Sequence, residues 1–156
     1  MRSVAVKVGV VALVQLALVG VAVAPRLSAR LTGDELRLRV APVDPIDPFR
    51  GAYVDLDYPD IDSERIYELD GGGTFYVTLV RDGEVWTAGG YSRERPTGSP
   101  YLACDDRAEI SCGIESLFLP QGEAAAMEDA VSSGSAVAVV KVDGRGHAAL
   151  VRVEVG

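Results

Sequence analysis

The chain has 156 residues, with 23 acidic and 15 basic side chains. Four of the basic residues, Arg2, Lys7, Arg26 and Arg30, fall in the first thirty positions, where there is no acid, so positions 31–156 set 23 acidic residues against 11 basic ones, a net charge near −12. A surface of that sign repels phosphate backbones and anionic headgroups, which argues against nucleic acid and leaves cations, basic peptides or a neutral protein surface as partners; the length after the N-terminal segment suits one domain with a single core.

From Val8 to Ala24 the chain is apolar except for Gln15, with ten Val or Leu residues in seventeen positions. As a helix this run is about 25 Å long, within the spanning range, and its aliphatic residues outweigh one amide. Ala22-Val23-Ala24 fits a signal-peptidase site, but Pro25 follows it and suits the scissile position poorly. The reading is therefore an uncleaved signal anchor with a juxtamembrane linker over residues 1–30, and a β-rich domain over residues 31–156. Arg26 to Asp34 reads as a polar, basic linker closing on a Gly-Asp turn. Charge alone leaves the orientation open, with Arg2 and Lys7 on one flank and Arg26 and Arg30 on the other. The acidic domain and the paired cysteines favour a single-pass cell-membrane protein, N-terminus cytoplasmic and domain extracytoplasmic.

Strand patterns dominate the domain. Glu35 to Val43 alternates Leu36, Leu38 and Val40 with Arg37 and Arg39. Two Asp-Pro steps, at Asp44 and Asp47, make a rigid connector, since each Pro removes a donor and extends its predecessor. Ala52 to Tyr58 places Ala52, Val54, Leu56 and Tyr58 on one face, until Pro59 stops the ladder. Gly71 to Gly73 is a turn before Thr74 to Val80, and Asp82-Gly83 joins that strand to Glu84 to Ala88 as a hairpin. Gly89 to Ser99 reads as a loop. Strands are expected again at Pro100 to Cys104, Ala108 to Cys112 and Ser116 to Leu119. Glu123 to Ser132 is the only convincing helix outside the membrane, with Gly134 as its stop. Ser135 to Val142 and His147 to Val155 form a closing hairpin around Asp143 to Gly146. The fold class is all-β, a mainly antiparallel barrel or curled sandwich with one short helix, plus the N-terminal transmembrane helix.

The stretch Asp44 to Tyr58, DPIDPFRGAYVDLDY, resembles the signature of the GDYXXLXY proteins, in which an Asp-Pro-x-Asp-Pro-x-Arg run leads into Gly-Asp-Tyr-x-x-Leu-x-Tyr. Here Asp44, Asp47, Arg50, Gly51, Tyr53, Leu56 and Tyr58 match, while Ala52 stands where the motif has Asp. A second block, Gly113, Ile114, Glu115, Phe118, Pro120 and Gly122, is similar to the family's Gly-Ile-Glu-x-x-Phe-x-Pro-x-Gly run. The resemblance implies an N-terminal membrane segment and a polytopic membrane protein as partner, and it implies no established chemistry.

The residues themselves point the same way. His147, the lone histidine, reads as a solvent-facing residue where a hairpin re-enters a strand. Lys141 invites a Ser-Lys dyad, yet no serine sits in a nucleophile motif. Asp55, Asp57, Asp60, Asp62 and Glu64 are dense enough for a hard cation, but Pro59 interrupts them and the EF-hand spacing fails. Arg50 reads as clamped by Asp44 and Asp47 rather than as a ligand site. Cys104 and Cys112 permit a disulfide or two small buried thiols.

The expected function is a membrane-anchored, non-catalytic accessory or interaction module docking on a membrane protein, with no catalytic residue, no metal and no cofactor. Trp86, Tyr53, Tyr91 and Tyr101 are the aromatic candidates for that contact. The alternatives are an extracytoplasmic hydrolase with a Ser-Lys or carboxylate site, and a calcium-responsive binding domain.

Overall fold

The computed structural model describes residues 2–42, 53–98, 100–118 and 136–155, and for Arg2, Ser3, Ala5, Pro42, Tyr53, Val54, Phe118 and Val155 the backbone alone. Outside these lie the Asp44, Asp47 and Arg50 clamp, Gly51, Ala52, Pro120, Gly122 and the helix expected at Glu123 to Ser132.

Helix α1 (Arg2–Thr32) comes first, and Val6–Thr32 is long and apolar enough to cross a membrane. Its Val and Leu side chains are exposed, from Val4 to Val23, and the apolar window is not buried in the domain. A core helix of a water-soluble protein would hide that surface.

Among the described residues nine strands follow: β1 (Asp34–Arg39), β2 (Ala41–Pro42), β3 (Tyr53–Asp57), β4 (Thr74–Asp82), β5 (Val85–Ser92), β6 (Tyr101–Asp105), β7 (Ser116–Phe118), β8 (Ala136–Val142) and β9 (Ala148–Val155). They form three antiparallel three-stranded sheets, ordered β1-β8-β9, β2-β3-β7 and β5-β4-β6. Among the described residues no ladder closes them into a barrel, and the three sheets are consistent with a sandwich.

The alternation seen in the sequence decides which side of each strand is hidden. Leu36 and Leu38 of β1 are buried between exposed Glu35, Arg37 and Arg39. Phe75, Val77 and Leu79 of β4 are buried in alternation with half-buried Tyr76 and Thr78, and they share one core with Leu56, Leu102, Ala138 and Val140. Each large side chain so buried contributes about 1.5–3 kcal/mol relative to exposure.

Five local expectations change. Arg26 to Thr32 is helical rather than a linker, with Pro25 inside α1. Proline forfeits one helix bond, but Ala29 in the segment beyond it is fully buried, and that burial holds the chain in place. The strand Glu35 to Val43 divides after Arg39: β1 pairs with β8, whereas Ala41 and Pro42 turn to Asp57 and Leu56 of β3. β5 continues through the region read as a loop, because Thr78 pairs with Gly90 and Leu79 with Ala88, leaving Gly89 as the extra residue of a bulge. A Cβ on Gly89 would stand 2.6 Å from Val80 Cγ1. Ala108 to Cys112 supplies only the bridge Asp105↔Ser111, since Asp105 accepts the Arg107 amide and binds its guanidinium, bending the chain into a turn. Finally, a second helix, α2 (Ser63–Tyr67), lies among residues read only as a carboxylate run; Asp62 caps it by accepting the Glu64 amide at 2.9 Å.

Candidate functional site

The two sequence blocks meet in space. β3 pairs with β7, setting Tyr53 opposite Phe118, Val54 opposite Leu117 and Asp55 opposite Ser116. Beyond the ladder, the Leu56 amide donates to the Glu115 carbonyl at 2.8 Å, and the Tyr58 hydroxyl donates to the Ile114 carbonyl at 2.6 Å. Leu56, Tyr58 and Ile114 are all buried. Burial pushes the Tyr58 phenol far above the usual tyrosine range, and the nearby Glu115 charge adds to the effect. Glu115 turns its own carboxylate back on the loop before it, accepting the Cys112 amide and, at 3.0 Å, the Gly113 amide. Cys112 in that loop is joined to Cys104 of β6 by a disulfide, with Cα atoms 4.2 Å apart. The signature residues whose side chains are described thus act as a brace between β3, β7 and the disulfide loop.

A second cluster, which the sequence reading missed, joins the span-length helix to the sheet. Gly33 alone separates α1 from β1, and its amide donates to the Ala29 carbonyl at 2.9 Å to end the helix. A Cβ there would stand 2.8 Å from the Val142 amide nitrogen, so the close approach requires glycine. Next to it, Asp143 in the β8–β9 turn is almost fully buried. Its carboxylate accepts the Ser28 hydroxyl of α1 at 2.6 Å, the Arg145 amide at 2.9 Å and the His147 amide at 3.0 Å, with His147 Nδ1 at 3.1 Å. Burial works to raise this carboxyl, but the hydrogen bonds from Ser28, Arg145 and His147 outweigh it and leave it below the usual carboxylate range. Arg145 also donates to Ser28 Oγ at 3.1 Å, and Lys141 Nζ donates to the Arg30 carbonyl at 3.3 Å. His147, read as a solvent-facing residue, is a partner of a buried acid.

Other expected site residues disperse. Asp60 is held by a two-point pair to Arg39 at 2.8 and 2.9 Å, Asp62 caps α2, and Asp55 accepts the Ser116 hydroxyl at 3.0 Å. Among the described residues no three His, Cys, Asp or Glu side chains lie together as metal ligands. The Gly71–Gly73 turn is braced by Arg93, which donates to the Gly71 carbonyl at 2.6 Å and pairs with Asp106 at 2.6 Å. Of the aromatic candidates, Tyr101 is buried, Trp86 and Tyr91 pack partly against the core, and the Tyr53 side chain lies outside the described residues. Tyr91 is further committed as acceptor of the Asp62 amide at 2.6 Å. Among the described residues Tyr67 on α2, 78% exposed, is an aromatic that faces solvent, and its polar neighbours were the signal that could have singled it out.

No curated protein and no solved structure matches this chain. The family described as GDYXXLXY protein matches residues 15–153, from within the membrane-length helix to the last strand. With that match running through the brace, the disulfide loop and the helix junction alike, the chain belongs to the GDYXXLXY protein family.

Proposed function

We propose that the protein is a single-pass cell-membrane module, N-terminus cytoplasmic and domain outside, whose domain docks on a membrane protein and carries out no chemistry of its own. The observation that carries this reading is the junction: a span-length helix enters the sheet through one residue and is fastened by Ser28 to the buried Asp143. A domain on a slack tether would have to be ordered when it meets a partner in the membrane plane; one fixed to its helix meets that partner already oriented. The Cys104–Cys112 disulfide supports an oxidising compartment for the domain. Pro25 directly after Ala24 supports retention of the helix, since proline suits the scissile position poorly.

The test is crosslinking of the full-length chain in its native membrane, followed by identification of the membrane protein captured. A variant with a short Gly-Ser insertion after Thr32 keeps both anchor and domain but uncouples them. The expected result is one dominant membrane-protein adduct that the insertion removes. An adduct indifferent to the insertion, or capture of the chain alone, overturns the reading.

A further inference from the structure

Where α1 leaves the apolar run it walls a cavity of about 290 Å³, with Arg26 and Arg30 on the helix side and Gly113, Glu115, Ser116 and Ala149 on the domain side. The two arginines are four residues apart and share one helix face. Among the described residues no carboxylate lies within salt-bridge distance of either guanidinium. Glu115 is in the wall, but its carboxylate is engaged by the Cys112 and Gly113 amides. Ser116 directs its hydroxyl to Asp55.

On the membrane reading, depth bears on the occupant. Counting from Ala24, the end of the apolar run, a helical rise of about 1.5 Å per residue sets Arg26 about 3 Å and Arg30 about 9 Å beyond the hydrocarbon, and the headgroup layer is roughly 5–8 Å thick on each side. Arg26 lies in that layer and Arg30 at its outer rim. We propose that this cavity binds the phosphodiester of an anionic phospholipid, of the phosphatidylglycerol type, between Arg26 and Arg30. Guanidinium groups match phosphate oxygens in shape as well as charge. The lining itself carries two guanidiniums and one carboxylate, with Asp55 behind Ser116, so the face that the two arginines present is the cationic one and suits a monoanionic headgroup. An ethanolamine ammonium would add a cation where the one carboxylate is already engaged. The acidic domain, repelled by such a surface as a whole, meets it through the two cations placed at the contact. This inference rests on the membrane reading above, and not on the identity of the docking partner.

The experiment reconstitutes the full chain in nanodiscs holding equal parts of phosphatidylcholine, phosphatidylethanolamine and phosphatidylglycerol, and reads the lipids retained on the released protein by native mass spectrometry. Phosphatidylglycerol should be retained several-fold over phosphatidylethanolamine. Arg26→Gln combined with Arg30→Gln should bring the two to parity, Ser116→Leu, which fills the cavity and leaves both charges, should do the same, and Arg2→Gln combined with Lys7→Gln should keep the preference. Parity in the natural chain overturns the proposal. So does a preference that survives Ser116→Leu, which would mark a diffuse surface field, or one abolished by inorganic phosphate, which would mark a free-phosphate site. Failure of the chain to enter the discs overturns the membrane reading and this inference with it, whereas entry with parity overturns only the site.

Discussion

Tyr58 carries a hydroxyl into the core, and the Ile114 carbonyl is the acceptor that makes this tolerable. Tyr58→Phe keeps the ring and leaves that carbonyl without its donor, so the unfolding free energy should fall by about 1–2 kcal/mol. Denaturant melts of the two proteins read the difference; equal midpoints would mean that the hydroxyl is not part of the brace. Asp143 is the other residue whose chemistry depends on burial. Its folded carboxyl lies below the ordinary value, so the stability it contributes is fully present above that ordinary value, about 4, and is lost as the pH falls through the folded one. Asp143→Asn should therefore be less stable at neutral pH and should show a flatter loss of stability on acidification. Urea midpoints measured across the acid range check the sign, and parallel curves for the two proteins would remove Asp143 as the linked group.

Elements explain why the local pattern succeeded in some places and failed in others. β1 and β4 alternate buried with more exposed residues and form within the segments where that pattern places them, whereas β8 and β9 form where expected but bury consecutive residues, Ala138 to Val140 and Ala148 to Leu150. β5 extends through Gly89 and Gly90 because β4 is long enough to pair with it, a fact about the partner strand that the glycines themselves oppose. α2 has only five residues, too few for a helical period to show, and depends on its Asp62 cap. The stretch from Cys104 to Cys112 is held by the bond at its ends rather than by a ladder. Replacing both cysteines by serine should cost about 2.5 kcal/mol by the loop-entropy estimate. Thiol labelling of denatured, unreduced protein should find no free thiol. Uptake of two labels per chain would show that the bond does not form in the cell.

For the whole molecule, the junction ties the span-length helix to the sheets. Ser28, Ala29 and Gly33 are packed into the sheet or joined to its turn, so the part of α1 beyond the apolar run belongs to the domain's own structure. Because Pro25 suits the scissile position after Ala24 poorly, the chain purified from membranes should have an intact mass near that of full length. A mature N-terminus at Pro25 would show instead that the docked turn survives while the span is removed.

Periodicity, composition and motif were enough to establish the span-length helix, the antiparallel β class, the hidden faces of the long strands and the family, because those properties are written in residues near one another in the chain. The pairing of Tyr58 with Ile114, the shelter of Asp143 by Ser28 and the cavity under Arg26 and Arg30 were decided only by tertiary structure. Each joins groups dozens of positions or more apart, and a buried polar atom is stable only where the fold happens to bring it a partner; no local pattern records which partner that is.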